Sequence, residues 1–357
     1  MRIVLTGGMG YIGSHVALDL ARAGHDVTIL DNFSNSSPLA FAGIMMLAGR
    51  KLSARLNMVR LDVRDTSNCT RLFGDLKPEA VIHLAGLKDV AQSVRDPVRY
   101  FDVNMIGTRS LLQAMQCAGC ERLIFSSSAA IYGDPEYLPV DERHPCFPGS
   151  PYGHSKHAAE MLIRRWVTEG TRRRALALRY FNPVGCEFDR LRGVSLSSGG
   201  DALMNRLVAV ASGNADHLKV YGSDYDTPDG SGLRDYVHVS DLARAHVDAL
   251  STMKNGNAGF MPVNLGTGHA VTVRQMVAIF ETCTGCEVPT RATKRRGGDI
   301  AASWAAVDRA RVLMGWRATR THEEMCLSAW SARGFDLSAC NAHIIQNRSG
   351  TEYSTAR

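Results

Sequence analysis

Residues 2–13 read RIVLTGGMGYIG: a short apolar run from Arg2 to Thr6, glycines at positions 7, 8, 10 and 13, then an amphipathic stretch that stops at Gly24. This pattern predicts a strand, a turn of small residues and a helix. Small residues let the backbone approach an anionic ligand, and the amides and dipole at the helix start face its charge. Glycine turns also arise for purely structural reasons, so the next strand decides the matter. It runs from Asp26 to Leu30 and ends in Asp31, eighteen residues past Gly13. A carboxylate there can hold ribose hydroxyls, the arrangement of a dinucleotide site. It would repel a 2′-phosphate, and Asn32, Asn35 and Ser36 add hydrogen-bonding groups without positive charge. NAD is therefore expected rather than NADP.

Further strands are predicted at Met58–Leu61, Ala80–Leu84, Leu123–Ser127 and Ala175–Tyr180, with helical segments between most of them. Strands separated by helices cannot pair as hairpins, so the fold expected is α/β, a doubly wound, mainly parallel Rossmann sheet. Gly7, Asp31, Asp62, Gly86 and Ser128 then fall at the carboxyl ends of strands, where ligands collect in such sheets. Beyond Tyr180 the segments Gly185–Asp201 and Gly222–Gly232 are rich in turn residues. Shorter helices and a smaller C-terminal α/β substrate lobe are expected there. His238–Leu250 and Pro262–Leu265 read as a helix and a strand that return to the first sheet. From about Phe335 the polar tail has no clear periodicity.

Composition narrows the function. The chain has 357 residues, 45% apolar and 21% charged, enough for a sizeable core in two lobes. A net charge of +6 with short, separated basic runs such as Arg172–Arg174 and Lys294–Arg296 does not build a nucleic-acid stripe. Nine cysteines are an odd number, and the nearest pairs, Cys117/Cys120 and Cys283/Cys286, do not compose a four-ligand metal set, so no metal is expected. Their scatter fits a reducing compartment. Without an 18-residue apolar run or a signal-peptide pattern, no membrane span is expected and a cytoplasmic protein is.

Tyr152 and Lys156 stand four apart in PYGHSK, on one face of a helix. A phenol with a pKa near ~10 needs a cationic neighbour to act as a base at neutral pH, and the ammonium supplies one. Upstream, Ser126-Ser127-Ser128 closes a strand, and a hydroxyl there can bond a reacting alcohol. His154 faces elsewhere on the helix and is read as structural. Alone, a Tyr and Lys at this spacing are an ordinary surface pair; after a nucleotide loop they read as catalytic.

The blocks TGGMGYIGSH (6–15), LDN (30–32), HLAGLK (83–88), FSSSA (125–129), SPYGHSK (150–156), RYFNPVG (179–185) and LRDYVHVSDLA (233–243) together give the chain a specific likeness. From about Met1 to Trp330 it resembles the UDP-galactose 4-epimerase branch of the extended short-chain dehydrogenases. The resemblance implies that Tyr152, Lys156 and Ser128 are catalytic: Tyr152 takes the proton of the sugar 4-hydroxyl, Ser128 relays or positions it, and Lys156 holds the nicotinamide ribose and lowers the Tyr152 pKa. It implies tightly bound NAD and inversion at C4 of a UDP-hexose through a 4-keto sugar that turns over before reduction.

For the cofactor it implies contacts from Gly7, Gly10, Tyr11, Ile12 and Gly13, from Asp31, Asn32, Asn35 and Ser36, and from Asp62 and Val63. Leu84, Ala85, Gly86, Lys88, Asn104 and Tyr180 complete the set, with Tyr152 and Lys156. For the UDP-sugar it implies Arg234 and Arg296 on the phosphates, Asp299 on the uridine ribose, Tyr221 on the uracil and Asn182 near the diphosphate. Leu203, Ser303, Ser128 and Tyr152 stand beside them. The domains expected are an NAD-binding unit over 1–181, to which 237–265 returns, a UDP-sugar lobe over 182–345 and a polar tail over 346–357. A homodimer built on a helical bundle is also implied.

Two positions depart from the family pattern. Asp201-Ala202-Leu203-Met204 stands where paired asparagines are usual, and Ser303 is small where some relatives carry Tyr. The small side chain leaves room at C2 of the sugar, so N-acetylated UDP-hexoses are expected as further substrates. A 4,6-dehydratase would need acid and base groups beside the hydroxyl, and Ser128-Ala129-Ala130-Ile131-Tyr132 offers no carboxylate. A UDP-pentose or UDP-uronate 4-epimerase shares nearly the whole toolkit and stays open. A non-catalytic NAD-binding scaffold is the reading from a different class; such proteins commonly lose Tyr or Lys, and both are present.

Overall fold

The computed structural model describes residues 1–186, 202–255 and 258–332. Asp201 and the tail therefore lie outside the described residues. The strands are β1 (Arg2–Thr6), β2 (Asp26–Asp31), β3 (Leu56–Arg60), β4 (Ala80–His83), β5 (Arg122–Ser128), β6 (Arg174–Tyr180), β7 (Asn182–Val184), β8 (Leu218–Tyr221), β9 (Leu233–His238), β10 (Gly259–Leu265), β11 (Ala270–Thr272), β12 (Thr290–Thr293) and β13 (Ala302–Ser303).

Seven strands form one sheet in the order β10-β6-β5-β4-β1-β2-β3, every neighbouring pair parallel. Strand alternation sends successive side chains to opposite faces. Ile3 and Leu5 of β1, Ile124 of β5 and Leu176 and Leu178 of β6 join one core with Val16 and Leu20 of helix Tyr11–Arg22 and Leu242 of helix Val239–Asn255. Val4, Phe125, Ala175 and Ala177 join the other core with Phe73, Leu111, Met115, Ile163 and Trp166, carried by helices Thr66–Leu76, Gly107–Ala118 and Pro151–Thr168. The strand order reverses between β1 and β4, which opens a crevice at their carboxyl ends.

One expectation is corrected. Helices do not simply shorten after Tyr180, because Val239–Asn255 has seventeen residues. It serves the large sheet: it packs on helix Tyr11–Arg22 and leads into β10, which pairs with β6 from Gly259 to Leu265. A helix that crosses a sheet face must match its strands in length, whatever its place in the chain.

The remaining strands are short. β9 pairs with β7 and β13 in parallel and with β11 antiparallel, and β8 pairs with β12. A third core, with Leu207, Phe280, Met325 and Trp330, joins these strands to helices Leu203–Ala211, Val273–Thr284 and His322–Ser331. Among the described residues no helix is long and apolar enough to cross a membrane.

Candidate active site

The glycine loop closes tightly on itself. The Gly10 amide donates to the Gly7 carbonyl at 3.2 Å and the Ser14 amide to Gly10 at 3.0 Å. A Cβ at Gly13 would lie 2.3 Å from the Gly7 oxygen, so only glycine lets the helix start against the turn. Ile12, half-buried, follows Tyr11 in the first turn of that helix. Asp31, buried at the end of β2, accepts from the Met9 amide at 3.0 Å through one oxygen. Its other oxygen accepts from the Phe33 amide at 2.9 Å and the Ser36 hydroxyl at 2.8 Å. The carboxylate is thus fixed at the mouth of the loop.

Asn32 donates to Asp62 at 2.8 Å, and Arg64 holds the same carboxylate at 2.7 Å. Those bonds lower the Asp62 pKa to about 2. Its acidity is spent on this ion pair, so an adenine contact at this turn would be shared with the Arg64 and Asn32 side chains. Val63 beside it is buried, and Asn35 is exposed.

On the other side of the crevice, Leu84 and Ala85 donate from their amides to the carbonyl and hydroxyl of Thr6. A side chain at Gly86 would come within 2.9 Å of Asn104 Oδ1 and 3.3 Å of Lys156 Nζ, which places all three together. Asn104 is buried in a single π-helical turn, Asp102–Ile106, a local distortion common at functional sites. Its amide bonds Leu87 and Ser155. His83 underpins both walls through Thr6 Oγ1 at 2.7 Å and Thr108 Oγ1 at 3.0 Å, and burial pushes its pKa down to about 3, so it is neutral. Lys88 is exposed, with its ammonium 5.3 Å from the Tyr11 ring centre.

Tyr152 and Lys156 sit on helix Pro151–Thr168. Ser150 caps it by accepting from the Gly153 amide, and Pro151 presets its first turn. A Cβ at Gly153 would lie 2.5 Å from the Ala130 carbonyl, so glycine here lets the helix press against the segment after Ser128. The Ser128 hydroxyl stands beside the Tyr152 phenol. Burial raises the Tyr152 pKa, and the Ser128 hydroxyl opposes that rise. Lys156 Nζ donates to the Ser126 carbonyl at 2.9 Å; burial lowers its pKa to about 8, opposed by the charge of Glu160.

Glu160, one turn beyond Lys156, and Arg179 of β6 form an ion pair with side chains 1% and 2% exposed, at 2.7 and 3.0 Å. Ser127 donates to Glu160 at 2.6 Å, so of the three consecutive serines one bonds the buttress and the next stands beside Tyr152. Arg179 also reaches the Tyr132 hydroxyl at 2.9 Å, which donates to Asn264 at 2.6 Å. The sequence reading missed this network. Tyr180 was expected at the cofactor, yet its hydroxyl bonds His246 at 2.7 Å within the core of the sheet. Any cofactor contact from Tyr180 would come from its ring or backbone and not from its hydroxyl.

Some of the expected substrate residues lie on or beside β9. Arg234 donates three of its five guanidinium hydrogens to the carbonyls of Leu233, Ile300 and Ala301, and pairs in register with Ser303 of β13. Asn182 donates to the Asp235 carbonyl beside it at 2.9 Å. Arg296 stacks on the Tyr221 ring at 3.7 Å, and the exposed Asp299 donates its amide to the Arg296 carbonyl. Leu203 opens helix Leu203–Ala211 and is half-buried. Val140 bridges to Ala305 and accepts from Ala306, and Ala305 packs with Ile131 and Phe181, which ties the Ser303 strand to the segment after Ser128. Among the described residues no group of acidic, His or Cys side chains could hold a metal.

A Rossmann sheet whose crevice carries a glycine loop, a fixed acidic residue and a Ser-Tyr-Lys group defines a dinucleotide-dependent enzyme acting on an alcohol carbon. Residues 3–266 match the NAD dependent epimerase/dehydratase family. The chain belongs to that family. It is 42% identical over 331 residues to the UDP-glucose 4-epimerase of Yersinia enterocolitica, covering 92% of this chain and 96% of the relative. It is 40% identical over 338 residues to that of Homo sapiens, covering 92% and 95%. A UDP-glucose 4-epimerase structure from Stenotrophomonas maltophila, with bound NAD and formylated UDP-arabinopyranose, superposes with a TM-score of 0.88 at 38% identity, covering 94% of this chain and 98% of that one. One from Bifidobacterium longum, in complex with NAD+ and UDP, gives 0.86 at 36% identity, covering 94% and 98%.

Proposed function

We infer that this chain is an NAD-dependent isomerase that inverts C4 of UDP-hexoses, interconverting UDP-glucose and UDP-galactose. The observation that carries the reading is the half-buried Ser128 hydroxyl beside the buried Tyr152 phenol, with the Lys156 ammonium held from one helical turn away, at the carboxyl edge of the large parallel sheet. The similarity to UDP-glucose 4-epimerases over 92% of the chain supports it.

When bound, NAD supplies the reversible oxidation at its nicotinamide. Gly7, Gly10, Gly13 and Asp31 would hold it, with Gly86, Asn104 and Lys156 on the far side of the crevice. The tight turn and the fixed carboxylate fit such a ligand. Tyr152 accepts the proton of the 4-hydroxyl at its phenolic oxygen, and returns it when the alcohol re-forms. Ser128 steadies that oxygen. Lys156 favours the phenolate by its charge. Arg234, Arg296, Asp299 and Tyr221 hold the UDP portion, which leaves the sugar free to present either face to the same base. Remote binding energy thus does the holding while the reacting ring turns.

We assign residues 1–181, with 237–265, to the cofactor and the lobe of 182–345 to the UDP-sugar. The enzyme works in the cytoplasm, in galactose metabolism, as a homodimer. Support for the dimer comes from Val90 and Val94, exposed one turn apart on helix Val90–Arg95, Val98, exposed on helix Pro97–Phe101, and the exposed Met161 on the helix against which both pack. Incubating purified protein separately with UDP-glucose, UDP-N-acetylglucosamine and UDP-xylose, with products identified by NMR, tests the reaction. UDP-galactose should form from UDP-glucose and should not form with Tyr152→Phe; an equally active Tyr152→Phe protein would overturn the mechanism. Light scattering tests the dimer.

A further inference from the structure

Tyr225 lies in the turn-rich segment between β8 and β9. It is 7% exposed, and its hydroxyl is buried with no hydrogen-bond partner among the described residues. Leaving a buried hydroxyl unbonded is costly, and most such groups in folded proteins are satisfied.

The side chain is not free to swing elsewhere. Its amide donates to the Gly230 carbonyl at 3.0 Å, and its own carbonyl accepts from the Thr227 amide at 2.9 Å. Gly222 packs so closely that a Cβ there would stand 2.3 Å from the Tyr225 ring. On the ring lies the Arg295 guanidinium at 4.1 Å, itself anchored to the Asp224 carboxylate at 2.8 Å and the Asp224 carbonyl at 2.6 Å. The phenol is therefore wedged in one orientation.

The charged groups that interact with it are Asp299, Arg295, Arg234 and Asp224. Asp299 and Arg234 are two of the residues assigned above to the UDP portion. Arg296 neighbours Arg295 and stacks on Tyr221 at the end of β8. An oriented donor without a partner, held rigidly among groups of this kind, matches the oxygen-rich surface of a nucleoside diphosphate. We propose that Tyr225 is a substrate-binding residue whose hydroxyl donates to an oxygen of the bound nucleoside diphosphate. The proposal rests on the UDP-sugar reading of the same site and adds a contact to it.

Removing an unsatisfied hydroxyl has a signature that removing a structural bond does not. Without ligand, Tyr225→Phe should melt at the same temperature as the parent or higher. With ligand, its UDP affinity by calorimetry should fall about tenfold, the cost of one hydrogen bond to a charged acceptor. The loss in turnover should fall on KM more than on kcat. Calorimetry with uridine locates the contact: unchanged uridine binding puts it on phosphate, and weakened uridine binding puts it on ribose. Equal UDP affinity of parent and variant would overturn the proposal whatever the melting temperature does. A parent protein that binds no UDP would instead sink the UDP-sugar reading itself.

Discussion

Lys156 donates from Nζ to the Ser126 carbonyl oxygen at 2.9 Å, which anchors the ammonium at the carboxyl end of β5, two residues before Ser128. The bond holds the cation in a buried position where its pKa falls from 10.5 to about 8. Activity and stability should then respond to pH in opposite senses. The groups that face this ammonium are Glu160 on its own helix, His83 of β4, which stays neutral, and the Phe125 ring of β5, with Arg179 balancing Glu160. Above about pH 8 the free enzyme loses the charge that favours the Tyr152 phenolate, so kcat/KM should decline on the alkaline side. Between about 8 and 10.5 the unfolded chain keeps a proton that the folded chain has released. This group therefore makes the fold more stable as pH rises through that window. Urea melts at pH 7.5 and 9.5 should show Lys156→Met without this increment, and an identical pH dependence in parent and variant would refute the assignment.

The Glu160–Arg179 pair should be felt in stability. Both side chains are buried, so Glu160→Gln leaves a guanidinium without a counter-charge and costs about 3–5 kcal/mol. The double variant Glu160→Leu/Arg179→Met, which removes both charges, should recover most of that loss. Urea denaturation of the three proteins measures it. Equal destabilisation by the single and double changes would mean that packing, and not pairing, is the main contribution.

Asp31 should control cofactor retention. Its carboxylate takes two amides and a hydroxyl. Asp31→Ala orphans those donors, each costing about 1–3 kcal/mol where buried, and removes the proposed ribose partner. The purified variant should carry little NAD after dialysis, read by absorbance and extraction, and should regain activity only with added cofactor at high concentration. Full NAD content in the variant would contradict the role given to Asp31.

What was legible in the sequence, and what was not, divides along physical lines. The large sheet announced itself because strands buried on both faces are nearly continuous apolar runs, as in Ile3-Val4-Leu5, and because glycines at 7, 10 and 13 punctuate the first turn. Tyr152 and Lys156 were readable from helical spacing. The Glu160–Arg179 pair was not, since a lone acid on a helix and a lone base on a strand look like solvated surface until the fold buries them together. Tyr225 was hidden in a stretch read only as turn, where conformation follows from glycines and side-chain wedging that no periodicity records. The lobe strands, β13 with two residues among them, are too short for any alternation to register.

Ser303 should decide which sugars are accepted. It is half-buried in β13, paired in register with Arg234, and Val140 ties the following residues to the segment beyond Ser128. A side chain at 303 therefore sits on the strand that links Arg234 to the segment beyond Ser128, and the proposed roles place the hexose beside it. Serine leaves space for an acetamido group at C2 and has a hydroxyl to offer it. Tyrosine would fill that space, and forcing extra volume into a packed site costs about 1–3 kcal/mol, or roughly 5- to 150-fold in selectivity. The parent enzyme should convert UDP-N-acetylglucosamine as well as UDP-glucose. Ser303→Tyr should retain the second reaction and lose most of the first, measured as separate kcat/KM values for the two substrates. If both proteins reject the acetylated sugar equally, the space at position 303 is not what sets the specificity.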